Sequence, residues 1–322
     1  MDGENGKGVG MTSGLESNAQ QARVFALPLQ AVDRLLLAFL AALSAVAAVT
    51  HPQPMPLLAS AAGLAGAVLL GAAFGAREGW GRVIHGFAPL PIIISVFNLC
   101  GPVIEHANPA RWDAALAALD IQLFGPLVGA WRNALGRPAL LTDVASIAYA
   151  SYYVIPFSMA VALWRQRRRG DFEHLVFTMV GTLLASYASY FLFPALGPRV
   201  PHSLETEVLG GGRVSVAVRA FVALSEGNRL DAFPSAHTAL SLVFLVQGLR
   251  LFPRWRWRVP LTAAVAAIVF STVYLSWHYI IDILAGGAFA VLALVVILPL
   301  LRWTFGFAPG APVPGLSENP PG

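Results

Sequence analysis

Apolar residues in this chain arrive in unbroken blocks about as long as a bilayer is thick, and that feature decides what it can become. Leu57–Ala73 and Ile280–Leu301 are the clearest blocks. A helix needs about 20 such residues to cross roughly 30 Å of hydrocarbon. The backbone meets no water there, so each block must close its own hydrogen bonds as a helix. Charge content removes the main alternatives. Of the 322 residues 12% are charged, against about 25% in soluble proteins. Neither a soluble domain nor a disordered chain carries so little charge. The expected fold class is all-α, a polytopic membrane helical bundle.

Eight spans are predicted, at about 30–49, 57–76, 86–105, 140–164, 172–195, 235–252, 259–277 and 279–302. Asp33 and Arg34 sit at the edge of the first. Residues 29–303 read as a single transmembrane domain, with a motif-bearing core at 140–303. The polar, Gly-rich stretch 1–28 and the Pro/Gly-rich stretch 304–322 read as disordered ends. Residues 1–28 are too long and too acidic for the leading part of a signal peptide, so the first block reads as a retained anchor.

Arginines orient the bundle. Arg165 and Arg167–Arg169 lie between spans four and five, and Arg250, Arg254, Arg256 and Arg258 between six and seven. Together with Lys7, Arg23, Arg34, Arg77, Arg82 and Arg302 they put most of the 21 cations on one side. By the positive-inside rule that side is cytoplasmic, with both termini. The basic excess is thus read as topology, and no nucleic-acid partner is expected. The long segments 106–139 and 196–234 then face the periplasm of a bacterial inner membrane, or the exterior. In the first, Ala114, Leu116, Leu119 and Leu123 recur at helical spacing beside Asp113 and Asp120. That pattern fits an amphipathic helix, either on the membrane surface or packed on neighbouring spans.

Polar residues at the ends of membrane helices are costly, so each needs a reason. Two stretches concentrate them: Asp231-Ala-Phe-Pro-Ser-Ala-His237 at the start of span six, and Ser271 to Asp282 across the junction of spans seven and eight. The topology places both at the outer face. His278 and Asp282, four apart, share one helix face. A carboxylate on one ring nitrogen fixes the tautomer and leaves the other nitrogen free to attack. Taken alone, the pair is equally well read as structural. Pro234-Ser235 opens a helix whose free N–H groups can hold an anion, and His237 one turn later can donate a proton. Together these groups describe phosphoryl transfer. No metal-ligand cluster accompanies them, the sole cysteine (Cys100) sits in an apolar stretch, and no cofactor is expected.

Pro-Ser-Ala-His at 234–237, followed by Ser271, His278 and Asp282, resembles the last two signature motifs of the type 2 phosphatidic acid phosphatase superfamily. The resemblance implies a helical bundle with a six-helix core that cleaves or transfers lipid phosphate esters without metal. It further implies His278 as the residue that becomes phosphorylated, Asp282 as its activator, His237 as proton donor to the leaving group, and Ser235 and Ser271 as phosphate-site residues. The first signature motif differs. The family shows Lys, six residues, then Arg-Pro, whereas the end of span five reads Phe191-Leu-Phe-Pro194-Ala-Leu-Gly-Pro198-Arg199. Arg199 fits the Arg role, but no Lys precedes it by seven residues. Thr272 stands where an Arg usually follows the third-motif Ser. Arg229 is the nearest substitute cation. These departures, with Trp112-Asp-Ala-Ala-Leu-Ala-Ala-Leu-Asp120 upstream, resemble the branch containing inositol phosphorylceramide synthases and their bacterial relatives.

The implied substrate is a membrane lipid phosphate; a lipid phosphatase is the expected activity, since the superfamily's general reaction needs no second substrate, and a transferase with a lipid alcohol as acceptor is the alternative. Transport is the rival reading, but spans six to eight carry no charge near their centres, and no inverted repeat is evident. A catalytically dead scaffold would not need His237, His278 and Asp282 together. Other residues get plainer readings: His51, His85, His106, His174 and His202 as ordinary hydrogen-bonding histidines, Arg213 and Arg219 as solvated loop residues, Trp277 and Tyr279 as an interfacial aromatic belt, and Tyr152, Tyr153, Tyr187 and Tyr190 as packing residues, some lining a lipid entrance.

Overall fold

The structure is a computed structural model that describes residues 29–77, 79–125, 134–136, 138–199 and 210–308. Expectations for residues 1–28, 309–322, most of the 126–137 stretch and His202 fall outside these. Among the described residues every regular element is helical. In chain order they are α1 (Ala31–Thr50), α2 (Met55–Gly75), α3 (Trp80–Phe87), α4 (Pro89–Ala107), α5 (Asp113–Phe124), α6 (Ala139–Arg165), α7 (Arg169–Tyr190), α8 (Arg213–Ser225), α9 (Ala236–Leu251), α10 (Trp255–Tyr274), α11 (Ile280–Leu292) and, after one π-helical turn, α12 (Leu298–Thr304).

Among the described residues six helical stretches are long and apolar enough to cross a membrane: α1, α2, α3–α4 together, α6, α10 and α11–α12 together. They make this a multi-pass membrane protein. The fifth and sixth expected spans also form helices, α7 and α9, but α7 is more polar and α9 is short. Their position explains the difference. Helix α9 packs against α6, α7, α10 and α11, and α7 against α1, α4, α6 and α9. Surrounded by protein, they need close packing more than apolar surface. Thr178, Thr182 and Ser186 are fully buried along α7, with Thr182 Oγ1 donating to Thr178 O at 2.8 Å and Ser186 Oγ to Thr182 O at 3.0 Å. These two hydroxyls are satisfied by the preceding turn and Thr178 Oγ1 accepts from Arg302 at 3.0 Å, so the small polar stripe costs little.

The arginine-rich end is closed by side chains the sequence left as ordinary. His85 Nε2 donates to Asp33 Oδ2 at 2.8 Å in a buried pair, which is why a span can start with Asp33 at its edge. Arg34 donates to the Phe305 carbonyl, and Phe307 stacks on Phe177 with ring centroids 4.5 Å apart. Residues 305–308, read as part of a disordered tail, therefore pack against α1 and α7. Elsewhere His51 Nδ1 accepts from Gln53 N, His106 Nδ1 donates to Pro102 O and His174 accepts from Arg302.

At the opposite, loop-rich end two short helices brace the bundle. Helix α5 turns its carboxylates inward. Asp113 Oδ1 accepts from the backbone N–H groups of Leu196 and Gly197 at 2.8 and 2.9 Å, and Asp120 Oδ1 accepts from Ile281 N at 2.9 Å. Ile121 and Leu123 face outward, 67% and 55% exposed. The polar face of the helix is thus pinned to the bundle, with its apolar face turned outward. The segment 196–234, read as a long connection, contains helix α8, held on α6 by Asp143, which accepts from Gly212 N and Ser215 N. Arg213 is exposed, but Arg219 is 7% exposed, so the solvated reading fails for Arg219.

Candidate active site

Three stretches separated in sequence meet at the loop-rich end. Ala232 N donates to Ala195 O at 3.0 Å, tying the second stretch to the end of α7, and Ser235 N donates to Asp282 O at 3.1 Å, tying it to the third. Two glycines permit these approaches. Gly197 has φ +77°, and a Cβ there would lie 2.8 Å from Trp277 O and 2.9 Å from Ala232 Cβ. A Cβ on Gly286 would lie 2.6 Å from Ser235 O. Side chains at either position would force α9 and α11 or their connecting loops apart.

His278 and Asp282 face each other at the start of α11, with His278 Nδ1 3.4 Å from Asp282 Oδ2. The same oxygen accepts from Tyr279 N at 2.9 Å. The His237 ring lies 6.0 Å from the His278 ring, centroid to centroid. Reacting atoms need to approach to about 3–3.5 Å, so the two rings can flank one phosphoryl group. Ser235 caps α9, its Oγ accepting from Thr238 N at 3.3 Å, which leaves the hydroxyl proton and the next backbone N–H groups at the helix N-terminus for an anion. Arg199 pairs with Asp231 and lies over the Trp277 ring at 5.3 Å. Trp277 also stacks on Tyr149 at 5.5 Å, so it forms part of the site wall.

Arg199, Ser235, His237, His278 and Asp282 are thus brought together. Two expected phosphate ligands are placed otherwise. Ser271 is fully buried and its Oγ donates to Ile268 O at 2.7 Å within α10, and Arg229 is exposed. Among the described residues Arg199 Nε, His237 Nε2 and Asp282 Oδ1 are buried without a hydrogen-bond partner. Each such atom costs about 1–3 kcal/mol, and three in one site mark a place that a polar ligand completes. No three His, Cys, Asp or Glu side chains among the described residues are grouped to hold a metal ion.

Sequence reasoning missed Glu226. The turn after α8 delivers it, fixed by Gly227 N donating to Asn98 Oδ1 of α4 at 2.7 Å. Glu226 Oε1 lies 3.6 Å from His237 Nε2 and accepts from the Tyr153 hydroxyl, with Tyr149 OH at 3.4 Å. The His237 ring is held between Tyr149 and Tyr152, at 4.6 and 4.2 Å. Burial, with the Asp231 carboxylate beside it, pushes the Glu226 carboxyl up to about 7.

The bracing of α5 carries a testable consequence. Asp120 holds the backbone next to Asp282, so Asp120→Ala frees that turn to shift. Turnover is expected to fall roughly a hundredfold, the cost of misplacing reacting groups by about 1 Å. Asp120→Asn keeps an acceptor oxygen and is expected to restore most of the rate, with KM little changed in both variants. Equal damage by Ala and Asn in a kinetic assay would contradict the bracing role.

No solved structure matches the chain. A PA-phosphatase related-family protein of Dictyostelium discoideum is 24% identical over 233 residues, covering 60% of this chain. The chain spans 41% of that protein's length. A phosphoinositol dihydroceramide synthase of Bacteroides thetaiotaomicron is 25% identical over 242 residues, covering 71% of this chain and 75% of that one. The PAP2 superfamily model matches residues 114–296. That span takes in all five residues gathered at the loop-rich end, and the chain belongs to the PAP2 superfamily.

Proposed function

We propose that the protein transfers a phosphoryl group, with its polar head, from a membrane lipid to a lipid alcohol through a phosphohistidine at His278. The observation that carries this reading is the His278–Asp282 pair facing His237 in a buried site: His278 is 3% and His237 7% exposed. With Nδ1 turned to Asp282, His278 Nε2 is the nitrogen left to attack phosphorus. The P–N bond forms as the ester P–O bond breaks, and His237 gives its proton to the departing lipid oxygen. Arg199, Ser235 and the N-terminal N–H groups of α9 hold the nonbridging oxygens while charge builds on them. His237 then removes the proton of the acceptor hydroxyl, whose oxygen takes the phosphoryl group and restores free His278. Glu226 sits behind His237 as the group that poises its proton.

Hydrolysis uses the same residues with water as acceptor. Burial of both histidines, and the activity for which the Bacteroides relative is named, favour a lipid alcohol. The arginine-rich end is assigned to the cytoplasm and the site to the opposite face of the membrane. The deciding experiment supplies purified protein with phospholipids, lipid pyrophosphates and ceramide in mixed micelles. A new phosphodiester lipid is the expected product. Free phosphate or a free phosphorylated head group as sole product would overturn the transfer reading and leave a hydrolase.

Glu226 adds a pH signature. Below about pH 7 its carboxyl is neutral, and above it the ionised carboxylate favours the imidazolium form of His237. The kcat/KM profile is expected to rise with pH through about 7. Glu226→Gln keeps the tyrosine hydrogen bond but removes that limb, and lowers the plateau about tenfold, as one unit of lost proton-donor poise implies. A profile with the limb intact in Glu226→Gln would assign it to another group.

A further inference from the structure

A cavity of roughly 300 Å³ lies directly beneath the site. Its polar end is Glu226, Asp231 and His237, and the rest of its wall is almost entirely apolar. Along α7 the lining descends from Tyr190 and Tyr187 through Leu183 to Met179, a helix rise of ~16 Å. That is about half of the roughly 30 Å hydrocarbon core, the depth of one leaflet. Helices α4 and α6 supply the side walls, and there Ile94 and Phe157 both line the cavity and are 38% and 49% exposed. Both lie well within membrane-spanning stretches, so the cavity meets the lipid sideways between α4 and α6.

We propose that this cavity holds one hydrocarbon chain of the reacting lipid, admitted between Ile94 and Phe157, and that Leu183 and Met179 set the chain length accepted. The proposal rests on the phosphoryl-transfer reading of the site above it. Three observations name the occupant: continuity with His237 and Glu226, an apolar wall, and a depth of one leaflet. A chain entering from the bilayer leaves one hydrocarbon surrounding for another, so it gains no hydrophobic free energy. Selection is therefore steric. A chain too long strikes the far wall, and one too short leaves side chains without partners.

Two substitutions with opposite expected effects test the assignment. Leu183→Phe adds bulk in the cavity and moves the preferred substrate to shorter chains. Met179→Ala opens the far wall and moves it to longer ones. The rate ratio of long- to short-chain forms of one phospholipid bearing a polar head is expected to fall roughly tenfold in the first and rise in the second, one factor of ten being about 1.4 kcal/mol. General destabilisation cannot shift the ratio in both directions. A binding readout independent of turnover uses the same head-bearing phospholipid with a photoreactive group at the end of one chain. Crosslinks on α7 around Met179–Leu183 support the assignment. Crosslinks confined to the outer surfaces of α10 and α11, or a chain-length ratio unchanged in both variants, overturn it. No turnover of any phospholipid, with crosslinks still on α7, keeps the chain site and overturns the reaction proposed above it.

Discussion

His278→Ala is expected to lower turnover at least ~10⁴-fold while leaving the bundle intact. The nucleophile has no substitute nearby: water would have to attack a phosphate diester directly, losing the stepwise path that covalent catalysis provides. The side chain also carries little structural weight. Its backbone N–H donates to Thr272 O, a bond that Ala retains, and the imidazole's own recorded partner is Asp282. Melting temperature and detergent elution should therefore match wild type. Asp282→Asn is expected to follow with a loss on the order of a thousandfold, because an amide cannot stabilise the imidazolium that forms on attack. The two losses should not add, since both variants disable one unit. Wild-type turnover in a folded His278→Ala protein would remove His278 from the reaction.

His237→Ala is expected to cost about 10²–10⁴-fold, the range for a positioned proton donor, and its size should depend on the leaving group. A lipid alkoxide is a poor leaving group and needs the proton. A nitrophenolate leaves without one. In the first step, read as the burst of nitrophenolate, the deficit of His237→Ala should therefore shrink sharply with a nitrophenyl phosphodiester, whereas that of His278→Ala should not, because attack is required for either substrate. Equal deficits for both esters would place His237 elsewhere in the mechanism, for instance as a phosphate ligand.

Much of this was legible in the sequence, for identifiable reasons. The helices whose surroundings are lipid announced themselves by apolar length, as Met55–Gly75 and Ile280–Thr304 do. The catalytic candidates on α9 and α11 were legible because helix starts and the i, i+4 spacing of His278 and Asp282 fix local geometry. Interior helices read less clearly. Thr178, Thr182 and Ser186 lower the apolar signal of α7, and only its neighbours reveal why that is tolerated. Glu226 carries no local pattern at all. Its position depends on Asp143 holding α8, on Asn98 holding Gly227, and on tyrosines from α6, all remote in sequence. Arg219 was misread for the same reason, since its burial on α8 is a tertiary property. Asp113 and Asp120 were visible as the polar side of a helix, but only the fold shows that side gripping the turns that carry Arg199 and Asp282.

The account's central claim is a covalent phosphoryl group on His278, and trapping it is the most direct measurement. Enzyme mixed with a phospholipid carrying labelled phosphorus is quenched in base, digested and mapped. Near-stoichiometric label is expected on the peptide containing His278, stable in base, lost in acid, and absent from His278→Ala. No labelled peptide while acceptor is withheld, in a quench fast enough to catch a single cycle, together with rapid transfer once acceptor is added, would show direct transfer between lipids and contradict the account.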